Sequence, residues 1–403
     1  MRHFMKTSTI AILIILSLIS CNQQDDSKIN DSQLSHLHLT FGIGFNNYIN
    51  LYKKTNNNKQ LFHLITHSWK DSTSSTENEY FVKTNQDGTL FNIKNISITE
   101  GQQLSDFIDV DDYYYVITTA IRTMNGFTKD YLNKYDKNCK LIWTKKIETP
   151  KLPDWSTVLS TTKNKELIVI SNWFTPNSSS ISSRTGIVFR IFDLNGNMKS
   201  ERVIKEYGDC CKPVSLIKSN DNNYFLTVNP DMTYFHGRDT NAYITLFKLN
   251  DNGDILWTKE FADFYPKQTI ETKDSELVLF GAGFSEKHNQ HYLKIIFLDN
   301  KGFIKWEKKI NKYYCEEPVN MIVTKQGNLL FTSDVMSVEY DGTFGHLFKF
   351  DRKGKFIFDR YLTPLHNNII LQGKEEIFML SLKRNKESTS NFANLLQLEQ
   401  IAE

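Results

Sequence analysis

Apolar and polar residues alternate along short stretches of this chain, and the stretches come in pairs around tight turns. Residues 242–261, AYITLFKLNDNGDILWTKEF, show the unit. Tyr243–Leu249 is rich in aromatic and β-branched residues, Asn250, Asp251, Asn252 and Gly253 supply turn chemistry, and residues 255–261 alternate again with Ile255, Trp257 and Phe261 on one face. This predicts a β-hairpin. The same pattern recurs around Gly88, Gly196, Gly302 and Gly354, and around Cys139, which stands where the others have glycine. Successive turns lie roughly 50 to 57 residues apart, a strand-built period that predicts a β-propeller with one repeat per blade.

Each turn has its own chemistry. Three residues before the glycine position stands an Asx residue: Asn85, Asp136, Asp193, Asn250, Asp299 or Asp351. Its side chain is expected to accept hydrogen bonds from N–H groups of the turn, while the glycine supplies the positive φ. Four residues after the glycine come Trp143, Trp257, Trp306 and Phe358, with Asn92 and Ser200 in the two remaining copies. A position repeated six-fold belongs to the scaffold, so these aromatics are expected to fill the space between blades.

Meander logic divides each repeat into four antiparallel strands, a to d. Short polar turns at 111–112, 163–165, 218–223, 273–275 and 325–328 join a to b, a longer connection joins b to c, and the glycine hairpin joins c to d. Six blades are complete. Residues 368–371, 377–382 and 394–401 read as strands a, b and c of a seventh, and 36–45 read as one N-terminal strand that supplies its d. The expected fold is all-β: a single domain over 35–403, seven blades, with the ring closed between the chain ends.

The hairpin pattern D-x-x-G-x-x-x-W, as in Asp299, Gly302 and Trp306, resembles the repeat of the quinoprotein-type (PQQ-like) propeller superfamily. That superfamily includes quinone-dependent dehydrogenases and the propeller lipoprotein of the outer-membrane barrel-assembly machine. The resemblance covers about a third of the chain and implies the fold. This sequence lacks the family's threonine before the glycine, and its Asx is one residue closer. The Asp boxes of sialidase-type hairpins place their Trp one residue nearer the glycine than here. No cofactor or catalytic residue carries over from either.

The first 20 residues read as a signal peptide: Arg2 and Lys6, then an apolar run over 10–19 that is short for a membrane span. Leu18, Ile19, Ser20 and Cys21 resemble a bacterial lipobox. The resemblance implies acylation of Cys21 with fatty acids such as palmitate, and membrane attachment through lipid only. Asn22 in place of aspartate favours an outer-membrane address in the cell envelope. Residues 23–26, Gln-Gln-Asp-Asp, resemble the acidic tags of surface-exposed lipoproteins, so periplasmic and cell-surface orientations both stay open. Residues 21–34 are polar and read as a flexible tether. Removing 1–20 leaves 46 basic and 46 acidic side chains, a balance that argues against a nucleic-acid partner. The protein is expected to be a monomer.

Candidate chemistry lies at one end of the ring. The eight prolines all fall in stretches read as b–c and d–a loops, which share an end and are long and dissimilar. The binding candidates there are Trp155, Trp173, Tyr207, Tyr234, His236, Arg238, Tyr265, Tyr313, Tyr314 and Tyr340. Clustered aromatics with a few charges suit an envelope protein, a peptide or a glycan. Histidines stand without carboxylates at ligand spacing, and no metal or cofactor is expected. There is no Gly-rich phosphate loop, G-x-S-x-G or H-E-x-x-H. Three functions remain. The first is a non-enzymatic lipoprotein that binds a protein partner; the others are a surface carbohydrate- or peptide-binding module and a propeller enzyme (hydrolase, lyase or quinone-dependent oxidoreductase).

Overall fold

A computed structural model describes the chain from 37 to 401 apart from residues 41–44, 55–59, 70–74, 85–89, 100–101, 121–128, 148–151, 176–183, 208–210, 231–242, 286–289, 311–314, 338–341, 363–364, 373–376 and 385–393, with side chains described mainly between 102 and 362. The described strands form seven four-stranded antiparallel sheets. In order they are blade 1 (45–96), blade 2 (102–146), blade 3 (152–207), blade 4 (211–262), blade 5 (265–310), blade 6 (315–362) and blade 7 (365–401 with 37–40). In blades 1 to 6 the spatial order of strands is the chain order, the meander expected from the sequence.

Blade 7 takes Leu365–Gln372, Ile377–Arg384 and Asn394–Ile401 as its first three strands, and Leu37–Thr40 as its outermost. Leu37 pairs with Leu398 and Thr40 with Leu395. The closing strand is shorter than the expected 36–45, because Phe45 already begins the inner strand Phe45–Lys54 of blade 1. Blade 1 then meets blade 2 through the Phe81 ring, 5.0 Å from that of Phe107 and 5.2 Å from that of Tyr114.

In blades 2 to 5 both sheet faces pack against neighbouring blades, and middle strands such as Leu277–Ser285 and Gln290–Leu298 are mostly apolar. Ile168, Ile170 and Phe189 of blade 3 pack with Tyr224, Leu226 and Phe247 of blade 4. Val278 and Phe280 of blade 5 pack with Met321, Phe331 and Phe348 of blade 6. Each such side chain contributes roughly 1.5–3 kcal/mol by leaving water. The a strands of blades 2 to 7 lie against one another and form the inner wall. The d strands, such as Leu141–Lys146, Ile304–Ile310 and Phe356–Leu362, are largely exposed.

Tyrosines tie blades together through their hydroxyls. Tyr115 of blade 2 donates to the Leu194 carbonyl in the blade 3 hairpin (3.0 Å), and Tyr224 of blade 4 donates to Thr161 O of blade 3 (2.9 Å). Burial first, then the Tyr113 phenol with Asp111 and Asp193 at Tyr115, and the Asp251 carboxylate at Tyr224, push both phenols far above their ordinary range.

Every a strand carries a β-bulge against its b strand. The register steps over Asn50, Ser105, Val214, Lys267 and Val319 in blades 1, 2, 4, 5 and 6. In blades 3 and 7 it steps over residue pairs, Trp155 with Ser156 and Asn367 with Asn368. The bulges correct the expected position of the prolines. Pro213, Pro266 and Pro318 are strand residues immediately before a bulge, Pro153 lies in the strand Leu152–Thr161, and Pro230 ends Tyr224–Pro230. Strand edges and bulges tolerate a residue that cannot donate to the ladder, so proline marks the inner wall here as well as loops.

Candidate binding face

The two ends of the ring are built differently. At the turn end, the hairpins of blades 2 to 6 close with a backbone bond from the glycine position to the Asx carbonyl, as Gly302 N to Asp299 O at 3.0 Å. The Asx carboxylate or amide oxygen then accepts two further N–H groups, those of Lys301 and Phe303 on Asp299 Oδ1, both at 2.9 Å. Gly196, Gly253, Gly302 and Gly354 have φ between 76° and 80°, and Cys139 takes φ 60°. The aromatic four residues later reaches the next blade's turn. A Cβ on Gly196 would come 2.7 Å from Trp143, one on Gly302 3.0 Å from Trp257, and one on Gly354 2.9 Å from Trp306. Trp306 also donates its indole N–H to Arg352 O at 3.0 Å. The expected inter-blade role is therefore what the structure shows for the three tryptophans, whereas the described contacts of Phe358 lie within blade 6.

Ion pairs complete this end. Lys163 of blade 3 faces Asp251 of blade 4 at 3.7 Å, Lys165 of blade 3 pairs with Asp111 of blade 2 at 2.7 Å, and Arg352 of blade 6 pairs with Asp274 and Glu276 of blade 5. In each of these pairs a cation of one blade meets a carboxylate of its neighbour, so the two signs are interspersed among the described residues of this end.

The other end gathers the b–c and d–a connections. Trp155 belongs to the inner-wall bulge of blade 3, and Tyr207 ends the outer strand Met198–Tyr207 of the same blade. Trp173 is on the neighbouring b strand, two per cent exposed, and its indole packs over Gly186, where an added Cβ would meet Nε1 at 2.5 Å. Tyr265 is also buried, at the start of the inner strand of blade 5, and its phenol is pushed up by burial and by Asp263. Trp173 and Tyr265 are thus packed inside blades rather than presented at a surface. Tyr234, His236, Arg238, Tyr313, Tyr314 and Tyr340 lie outside the described residues.

Pattern reading missed the inner-wall bulges themselves. Lys267 is the extra residue in blade 5 and is exposed, as is Glu317 just before the bulge of blade 6. The residues that follow the bulges bind the wall together: Asp106 Oδ2 accepts Leu159 N of blade 3 at 2.7 Å, and Gln268 Oε1 accepts Met321 N of blade 6 at 2.7 Å. Thr157 donates to the buried Asp130 carboxylate at 2.6 Å. The signal was available as a repeated Pro-x-polar triplet at 213–215, 266–268 and 318–320.

Asn172 is the least satisfied of these groups. It lies in register with Asp154, the last paired residue before the Trp155 bulge, and is fully buried. Neither its amide oxygen nor its nitrogen has a hydrogen-bond partner among the described residues. A buried amide left unpaired costs roughly 1–3 kcal/mol, and an aliphatic residue would not incur it.

No family model matches the chain. Over 106 residues it is 29% identical to a probable malate dehydrogenase of Campylobacter jejuni, which is 26% of this chain and 32% of that protein. The chain therefore spans about a third of the length of that curated relative. Among solved structures, an ulvan lyase of polysaccharide lyase family PL25 superposes with a TM-score of 0.54 at 10% identity, covering 91% of this chain and 98% of that one. A protein of unknown function from Dyadobacter fermentans superposes with a TM-score of 0.51 at 10% identity, covering 92% and 98%. At one residue in ten these likenesses concern the fold alone, and together with the seven sheets they identify the chain as a β-propeller.

Proposed function

We propose that this protein is a membrane-anchored lipoprotein of the bacterial envelope whose loop end binds a protein partner without catalysing a reaction. The observation that carries this reading is the asymmetry between the two ends. The turn end repeats one Asx-turn design and joins neighbouring blades by ion pairs such as Lys165 with Asp111 and Arg352 with Glu276. The loop end carries the Trp155 bulge, the exposed Lys267 and Glu317 and long dissimilar connections. Recognition requires groups that differ from blade to blade, and aromatic anchors concentrate interface energy at about 2 kcal/mol or more each. Anchoring rests on the Leu-Ile-Ser-Cys21 sequence.

The test has two parts. Trp155→Ala with Tyr234→Ala should weaken capture of the partner at least tenfold with the melting temperature nearly unchanged, whereas Lys301→Ala with Lys353→Ala should leave capture intact. Cys21→Ser should abolish fatty-acid labelling and release the mature protein from membranes; equal labelling of mutant and wild type refutes the anchor. A carbohydrate ligand is the second reading, motivated by the fold shared with the ulvan lyase. A glycan array that responds to the Trp155 and Tyr234 substitutions would favour it over a protein partner.

A further inference from the structure

Exposed apolar side chains are concentrated at one height on the propeller. Of the eleven large hydrophobic residues exposed among the described positions, nine lie within three residues after a hairpin's glycine position; Val203 and Tyr361 stand farther up their strands. The second residue after the turn is Leu141, Met198, Ile255, Ile304 and Phe356 in blades 2 to 6, each between 41% and 52% exposed. In three blades the third residue, Ile142, Leu256 or Ile357, is apolar and similarly exposed. Beyond this point the outer strands turn polar, as in Thr258, Lys259 and Glu260. The result is a rim of apolar groups around the turn end, repeated from blade to blade.

We propose that this rim seats the propeller on a lipid bilayer, turn end down, so that the loop end points away from the membrane. The inference rests on the anchored reading above and adds the orientation. A bilayer is laterally uniform, so it matches identical groups repeated at one height, whereas a specific protein partner selects groups that differ. The path of the chain agrees. Asn394–Ile401, a third strand, runs toward the turn end, and Leu37 pairs with Leu398 while Thr40 pairs with Leu395. Leu37, the first described residue, therefore stands at the turn-end side of its strand. Residues 22–36 extend at most about 50 Å, so a lipid on Cys21 keeps the domain close without fixing its tilt; the rim supplies the tilt. Charge contributes little, because Lys199 and Lys305 beside the rim pair with Glu166 and Glu276, and the hairpin lysines Lys301 and Lys353 each stand two residues after an aspartate, Asp299 or Asp351. Seating should therefore be insensitive to salt, unlike binding through a basic patch.

The experiment uses the full chain purified from membranes, bound to vesicles of phosphatidylethanolamine and phosphatidylglycerol with brominated or ordinary acyl chains. Trp143, Trp257 and Trp306 stand directly behind the rim and report contact with brominated chains. Wild-type fluorescence should fall by a third or more on brominated vesicles, at low and high salt alike. In Ile255→Gln/Leu256→Gln/Phe356→Gln/Ile357→Gln the loss should shrink at least threefold, although the same fraction pellets with vesicles and the melting temperature is unchanged. Leu141→Gln/Ile142→Gln, on a different blade, should move it in the same direction. Equal quenching in all forms, or none in any, with all forms still pelleting, overturns the seating and leaves the anchor standing. An unacylated Cys21 in the mass spectrum defeats the anchor instead, and rim-dependent quenching of that same material still decides the seating. A wild-type dimer that the rim variant dissolves, without quenching, assigns the rim to a second copy and overturns the proposal.

Discussion

Six described residues other than glycine hold positive φ, among them Lys165, Asn222 and Ser275 in a–b turns. In those turns Gly327 has the same conformation, φ +81°, and a Cβ there would meet nothing within 4 Å. The c–d hairpins keep glycine for another reason: the aromatic of the preceding blade leans on it. Where blade 1 has Asn92 in place of that aromatic, the next hairpin carries Cys139, buried in the cluster that contains Phe81. Blade 3 has Ser200 at that position, and Phe189 covers Gly253 instead, where an added Cβ would come 2.7 Å from its ring. Gly302→Ala should therefore cost about 2–4 kcal/mol in urea unfolding, against about 1 kcal/mol for Gly327→Ala. Adding Trp257→Ala should make Gly302→Ala much less costly; equal costs at both glycines would contradict the packing explanation. The Asx–Gly pattern was legible in the sequence, but its cause was not, since a positive φ and an excluded Cβ both read as glycine. A second residue-scale prediction concerns acid. Partial burial works against the Asp221 charge, yet the Lys248 ammonium at 2.5 Å and bonds from Asn223 and Ser219 hold its pKa down at about 2. A depressed carboxylate contributes stability that is present above its ordinary 3.8 and lost as pH falls through about 2. The exposed pair contributes at most about 1 kcal/mol. Asp221→Asn should lower stability at pH 7 and leave it unchanged below pH 2; a constant difference across that range would contradict the assignment.

At the scale of elements, ring closure concerns two chain ends and three strands. Deleting residues 394–403 removes the third strand of blade 7, leaving Ile377–Arg384 and Leu37–Thr40 without their shared partner. The loss should destabilise the domain by roughly 4 kcal/mol or more and lower the calorimetric melting temperature accordingly. A truncated chain that melts within a degree or two of wild type would contradict closure through this strand. The hairpins, the a–b turns and the split seventh blade could all be read from alternation and turn chemistry, because these are local signals. The inner-wall bulges could not, since a bulge is a relation between two strands and leaves only an extra residue in one of them. Pro213, Pro266 and Pro318 read as loop punctuation for the same reason.

For the whole molecule, the sequence located the asymmetry between ends but not which aromatics are available at the loop end. Trp173 and Tyr265 carry the same composition signal as a surface anchor, and only the packing of Gly186 and the strands beneath them shows that they are buried. Asn172 gave no sequence signal, because an asparagine in a strand is unremarkable until its burial is known. Asn172→Leu removes the unpaired buried amide and should raise stability by about 1 kcal/mol in urea unfolding. A substitution that destabilises the domain would contradict the unpaired amide. The most direct test of partner binding at the loop end is photo-crosslinking in the living cell, with a benzophenone amino acid at Trp155 or Tyr234 and, for comparison, at Lys301 or Lys353. A discrete protein adduct is expected from the first two positions and none of that mass from the other two. The same adduct from Lys301 or Lys353, with none from Trp155 or Tyr234, would contradict it.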